Sequence, residues 1–284
     1  MEKSFLSPRN DLIFRLLFGD ERCIEQLTDF LKSVLRIPHD DYGDLTIVDP
    51  FLLPEYKGGK LGILDVKLKT KSGKSINIEI QISPLPYMRE RILFYISKMV
   101  SEQLGTSEEY ENIKKVISII ITDYPLIDES PKYHHRFTLF DQENKVEFSD
   151  VIEVNTLEIA KLPRNEDGTP LWVWMKFLDA RTEEELNMIA EKNPQVKKAV
   201  VRLMELSADE RTRMLYEARE KERRDNYARE KGAIKEREYE FAKKLLKRNR
   251  PIAEIIEDTG LTHAEIEELI KVTDLAREEV EGLL

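Results

Sequence analysis

Residues 64–81 of this 284-residue chain carry an acid, a second acid and a carboxamide at spacings that allow them to act on one ligand. Apolar and polar residues alternate on both sides of Ser72 and Gly73, the period of two strands joined by a tight turn. In the second strand Ile76, Ile78, Ile80 and Ile82 share one face, and Asn77, Glu79 and Gln81 share the other. In the first, Leu64, Val66 and Leu68 oppose Asp65, Lys67 and Lys69. Joining the apolar faces therefore gathers Asp65, Glu79 and Gln81. A three-residue loop over Ser72, Gly73 and Lys74 predicts the pairs Lys71 with Ser75, Lys67 with Glu79, and Asp65 with Gln81. Asp65 and Glu79 are then diagonal neighbours roughly 7 Å apart, a span that one cation can bridge. Mg2+ suits such a pair, because it takes oxygen ligands and is usually held by one or two carboxylates plus phosphate. Gln81 can orient a water but carries no charge. Lys67 supplies positive charge, or simply a cross-strand ion pair with Glu79. The plain alternative for the whole trio is a solvated polar face.

The elements that must position these groups follow from the flanking pattern. Residues 8–36 predict a helical region that Gly19 and Asp20 break in two, with Asp11 as helix N-cap or as a third acid near the metal. Residues 45–53 predict a first strand and 54–59 a loop. After the hairpin, residues 87–104 predict a helix capped by Gly105. Residues 116–122 are β-branched almost throughout, as in a strand buried on both faces. Strand, helix and strand then make a parallel crossover. Arg91 and Tyr95, one helical turn apart, can face a scissile phosphate, although packing explains Tyr95 equally well. Residues 133–140 and 146–155 predict further strands, and 170–180 and 182–206 further helices. Trp172 and Trp174 read as core.

Composition bounds the class. Hydrophobic residues make up 41% and charged residues 35%. No run of about 18 apolar residues exists to span a membrane, and the N-terminus lacks the apolar stretch of a signal peptide. A single cysteine, Cys23, leaves no internal disulfide; a reducing, cytoplasmic setting is expected. The adjacent His134 and His135 face opposite ways in a strand, and no zinc set or glycine-rich phosphate loop is present. The net charge of −10 is unevenly spread. Residues 218–250 hold thirteen Lys/Arg against seven Asp/Glu, and residues 251–284 two against ten. The basic stretch reads as a long helix that is either a solvated charged face or a DNA-contacting arm. The last two short helices have helix-turn-helix spacing, but Glu265, Glu267 and Glu268 would repel a phosphate backbone. A packing or self-association unit fits them better.

Asp65, then Glu79-Ile80-Gln81 one hairpin later, followed by a helix and a buried strand, resembles the PD-(D/E)XK nuclease superfamily. The segments around Asn10-Asp11, Phe14, Leu17-Phe18-Gly19, Leu64-Asp65-Val66-Lys67, Arg91 and Tyr95 resemble more narrowly the Rpn recombination-promoting nucleases, also described as PD-(D/E)XK nuclease family transposases. The resemblance covers about residues 5–180, and the tail around Thr259, Gly260, Leu261 and Thr262 also matches many members. It implies an α/β core with a mixed central sheet flanked by helices, plus a helical C-terminal extension. The implied domains are a nuclease-like domain over 1–180, a helical region over 181–250 and a helical hairpin over 251–284. The resemblance also implies Mg2+-dependent (or Mn2+-dependent) cleavage of DNA that promotes recombination. Asp65 and Glu79 would be metal ligands and the Ile80 carbonyl a third oxygen, while Gln81 stands where many members carry lysine. Two other functions stay open: a DNA-binding protein that keeps the fold without efficient chemistry, and a scaffold that self-associates through its C-terminal helices.

Overall fold

The computed structural model describes residues 5–52, 62–105 and 109–272. In chain order its regular elements are α1 (Asp11–Phe18), α2 (Ile24–Val34), β1 (Thr46–Val48), β2 (Phe51–Leu52), β3 (Gly62–Ile63), β4 (Val66–Lys69), β5 (Ser75–Gln81), α3 (Met88–Ser101), β6 (Val116–Thr122), β7 (His134–Asp141), β8 (Val146–Glu158), α4 (Pro170–Asp179), α5 (Glu183–Ala190), α6 (Pro194–Ala208), α7 (Glu210–Leu246), α8 (Ile252–Thr259) and α9 (His263–Val272). Six strands form one sheet in the order β1-β4-β5-β6-β8-β7. β5, β6 and β8 run parallel, and β1, β4 and β7 are antiparallel to their neighbours, so the sheet is mixed. The β5-α3-β6 crossover is parallel, as expected.

The sheet is the middle of three layers. Ile76, Ile78, Ile80, Ile117, Ile119 and Ile121 pack against the buried faces of α1, α2, α4 and α6. On the opposite face, Val116, Ile120 and Val154 pack under Met88, Ile92, Tyr95, Ile96 and Met99 of α3. Both faces of β5 and β6 are therefore covered. This accounts for the unbroken apolar run in β6, and it makes β5 a central strand rather than the half-buried one its alternation predicts. The aromatic heart of the larger core is Trp174, which is 0% exposed. It meets Phe18, Phe30 and Phe177 edge-on at 5.7, 5.9 and 5.9 Å, and its indole N–H donates to Asp29.

Several predicted boundaries shift. The hairpin slips by two residues: Lys69 faces Ser75, Lys67 faces Asn77 and Val66 faces Ile78. The Thr70 N–H also donates to the Lys74 carbonyl, which leaves Lys71, Ser72 and Gly73 as the tip. Gly73 has φ +85°. A three-residue hairpin loop wants its left-handed residue last, so the glycine belongs at the end of the tip and not at its middle. A two-residue slip keeps every side chain on its face, which is why alternation alone could not detect it. The expected first strand breaks at Asp49 and Pro50 into β1 and β2, since proline cannot donate to a ladder. The predicted loop over 54–59 lies outside the described residues. Gly105 does not cap α3, which ends at Ser101 with Glu102 donating to the Lys98 carbonyl. Asn193 and Pro194 divide residues 182–206 into α5 and α6, with Asn193 capping the second helix.

The chain divides into two compact units, Met1–Tyr216 and Glu217–Leu284. Helices α5 and α6 belong to the first, where Leu186, Val196 and Leu203 join its core. The second unit has its own small core of Ala242, Leu245, Leu246, Ile255, Leu261 and Ile266, closed by Gly260 in a left-handed C-cap.

Trp174→Ala removes the residue at which α1, α2 and α4 meet. It is expected to lower the stability of the first unit by about 3–5 kcal/mol, measured by urea unfolding followed by circular dichroism.

Candidate functional site

β5 is held on both sides, and this fixes the positions of Asn77, Glu79 and Gln81. Its ladder to β6 sets Glu79 beside Ile120 and Gln81 beside Thr122. On its other side β4 pairs only as far as Val66. Asp65 lies in the bend just before β4, where the alternation breaks: Leu64 packs with the α3 side of the sheet and Val66 with the other. The bend leaves Asp65 near enough to Glu79 for the Glu79 charge to act on it. Asp65 ends the ladder with its side chain: Oδ2 accepts the backbone N–H of Ile80 at 2.9 Å. Glu79, 8% exposed, receives the Asn77 amide on Oε1 at 2.9 Å. Each carboxylate thus uses one oxygen locally, and its other oxygen makes no hydrogen bond among the described residues. Asn77 is 1% exposed, and its side-chain carbonyl oxygen has no hydrogen-bond partner among the described residues.

The electrostatics of the pair are those of two acids without a neutralising partner. Burial raises the pKa of Asp65 to about 7. The Ile80 N–H opposes that rise, the charges of Glu79 and Asp11 add to it, and Arg15 of α1 reduces it. Burial also raises Glu79, against the Asn77 hydrogen bond and the nearby charge of Arg91. Such a pair binds either protons or a cation. Among the described residues no three His, Cys, Asp or Glu side chains form a metal-binding cluster. What this face offers a cation is two carboxylates. That fits a hard divalent cation, which keeps several waters and takes further oxygens from a phosphate.

The other expected residues divide into those near this pair and those engaged elsewhere. Asp11 is the first residue of α1, and the cap is Asn10, whose side chain accepts the Leu12 N–H. Asp11 acts on Asp65 through its charge. Gln81 shares the face of Glu79, and its amide donates to the Ser83 carbonyl at 2.8 Å. Lys67 faces Asn77, not Glu79, and pairs with Glu102 of the α3 C-terminus at 3.7 Å. Arg91 is exposed on α3 and lies over the Tyr95 ring, 4.9 Å from its centroid. Tyr95 is buried in the α3 cluster and reaches the site only by holding Arg91.

Sequence reasoning did not single out Asn77. Its position two residues before Glu79 on the same strand face was the available signal. It also missed two anchored acids. Glu153 is paired with Lys115 at 2.7 Å and Arg136 at 2.9 Å, and despite its burial those pairs and Asn155 hold its pKa down at about 2. Glu158, fully buried, accepts the backbone N–H of Leu126 and meets the Lys161 ammonium. Both are neutralised, unlike Asp65 and Glu79.

A mixed sheet with α3 across β5 and β6, and an Asp near the Glu of a Glu-x-Gln, is the setting in which the family comparison can be read. The family model described as PD-(D/E)XK nuclease family transposase matches residues 8–233. The chain belongs to that family. The match takes in every element of the sheet and all the residues of the PD-(D/E)XK pattern, and it extends into α7. No curated protein and no solved structure matches the chain. Among the described residues of this PD-(D/E)XK protein, no helix is long and apolar enough to cross a membrane.

The raised carboxyls have a measurable consequence without metal. A carboxyl whose folded pKa exceeds its unfolded value costs stability as pH rises between the two. For Asp65 that window runs from about 4 to about 7. The metal-free protein is expected to lose up to about 3 kcal/mol between pH 4.5 and pH 7.5 from this group, read as a falling denaturation midpoint. Asp65→Asn, which can still accept the Ile80 N–H, flattens that slope.

Proposed function

We propose that this protein is a metal-dependent DNA endonuclease that hydrolyses phosphodiester bonds and promotes recombination. The observation that carries the proposal is the pair of buried acids Asp65 and Glu79, neither in an ion pair among the described residues, in a chain of the PD-(D/E)XK nuclease family transposases. Asp65 and Glu79 would hold Mg2+ or Mn2+, with the Ile80 carbonyl as a further oxygen. When bound, the ion supplies Lewis acidity, lowering the pKa of water and neutralising charge that develops on the phosphoryl group.

The chain's own residues prepare the rest. The Ile80 N–H and the Asn77 amide lock the rotamers of the two acids, so each presents its second oxygen without reorganisation. Gln81, anchored through its amide nitrogen, offers a carbonyl oxygen that can accept a hydrogen bond from the attacking water and orient it. It cannot supply the charge of a lysine. Arg91 lies beside Glu79 and is the cation placed to meet the scissile phosphate. Lys67 is engaged with Glu102 and serves the fold first. Cys23 is buried and free, in keeping with a reducing, cytoplasmic setting. Self-association through the C-terminal helices belongs to the same proposal and is read from mass against concentration.

One observation favours a second reading. Gln81 is neutral and tied to its own loop, as expected for a protein that binds DNA with little cutting.

A plasmid-nicking assay with Mg2+ or Mn2+ separates the two. Cleavage is expected from the wild type. Asp65→Ala and Glu79→Ala are each expected to lose at least about 100-fold, since changes merely adjacent to metal ligands cost 10–100-fold. Gln81→Ala should lose about 10–100-fold in rate with little change in DNA affinity. Binding without nicking at any metal concentration would establish the second reading.

A further inference from the structure

Three side chains on the outer flank of α3 contribute little to the packing that fastens the helix to the sheet. Tyr87, which precedes the first residue of α3, is 79% exposed, and Phe94 is 47% exposed. Arg91, also exposed, stands between them, four residues after one and three before the other. Aromatic, cation and aromatic thus follow at intervals of one helical turn. The buried Tyr95 steadies the last two. Arg91 lies over its ring, and Phe94 meets it edge-on with centroids 5.6 Å apart. The flank adjoins the carboxylate pair: Tyr95, which holds Arg91 and Phe94, packs in one cluster with Ile120, and Ile120 lies beside Glu79 in the β5–β6 ladder. Tyr87 has φ 58° and ψ 36°, a left-handed conformation that is costly for a bulky side chain. It occupies the turn that leads from the end of β5, just past Gln81, into α3.

Among the described cations nearby, three are already paired. Arg9 pairs with Asp123 at 2.7 Å, Lys67 with Glu102 at 3.7 Å, and Arg89 with Glu129 at 3.0 Å. Neutralising phosphates is the main source of duplex affinity, and this flank has little charge to offer for it. Open π faces beside a single cation are what unpaired bases use, since stacking is indifferent to sequence and needs the base outside the duplex.

We propose that Tyr87 and Phe94 stack unpaired nucleobases of a DNA strand whose phosphate Arg91 holds, so that the preferred substrate is locally unpaired DNA – a single strand, a frayed end or flap, or the melted region of a supercoiled plasmid – over fully paired, relaxed duplex. The proposal rests on the nuclease reading for the polymer and specifies which form of it the site takes.

Fluorescence anisotropy in EDTA, with a labelled thymidine oligonucleotide, a blunt duplex of equal length and an abasic strand of equal length, tests it on the full chain. The thymidine strand should bind at least about tenfold more tightly than the other two. Tyr87→Asn, which tolerates the left-handed backbone, and Phe94→Ala should each lose about tenfold on the thymidine strand and nothing on the abasic one. Tyr87→Phe and Phe94→Tyr should bind as the wild type does. Equal or tighter binding of the duplex, or unchanged binding by Tyr87→Asn and Phe94→Ala, overturns the proposal. Plasmid nicking reports on the other reading. Aromatic-dependent binding without cutting refutes the nuclease and leaves the base platform standing; cutting with no dependence on either aromatic does the reverse.

Discussion

At the edge of the β4–β5 ladder the Asp65 carboxylate takes the place of a backbone carbonyl and accepts the Ile80 N–H. That bond holds one buried acid close to another: burial raises the pKa of both, and the charge of Glu79 raises that of Asp65 further. Every other acid buried in the sheet has been neutralised: Glu153 by Lys115 and Arg136, Glu158 by Lys161 and two backbone amides. The fold thus knows how to pair a buried carboxylate and does not do so here. A pair left open at this point carries a stability cost that only a proton or a cation can remove.

The rest of the first unit keeps that pair in place. β6 and α3 cover β5, so Glu79 cannot swing to solvent to relieve the repulsion. The N-terminal helix α1 packs on the other face and directs the charges of Asp11 and Arg15 toward Asp65. Trp174 and its phenylalanine neighbours fix α1, α2 and α4 against the isoleucine face. The same α3 that covers the sheet carries Arg91 and the exposed aromatics outward from the acids, so one helix links the pair to the surface where a strand would lie.

Much of this was legible from residue order. Alternation around Ser72 and Gly73 put Asp65, Glu79 and Gln81 on one face, and the β-branched run at 116–122 gave the covered parallel strand. Register was not legible, because a two-residue slip leaves alternation unchanged. Only the need of Gly73 for a left-handed site at the end of the loop decides it. The partners of charged residues were also hidden: Lys67 finds Glu102, some 35 positions away on α3, through tertiary packing that no local pattern encodes. Asn77 looked like one more polar residue on a strand, and its role depends on a burial that the alternating pattern understated.

Calorimetric titration of the metal-free protein with Mn2+ or Mg2+ at pH 6 and pH 8.5, in buffers of different ionisation enthalpy, counts the protons that the cation displaces. If Asp65 and Glu79 form the cation site, binding at pH 6 releases about one proton more than at pH 8.5, and Asp65→Asn abolishes the difference. Equal proton release at both pH values, or wild-type binding by Asp65→Asn, would contradict the account.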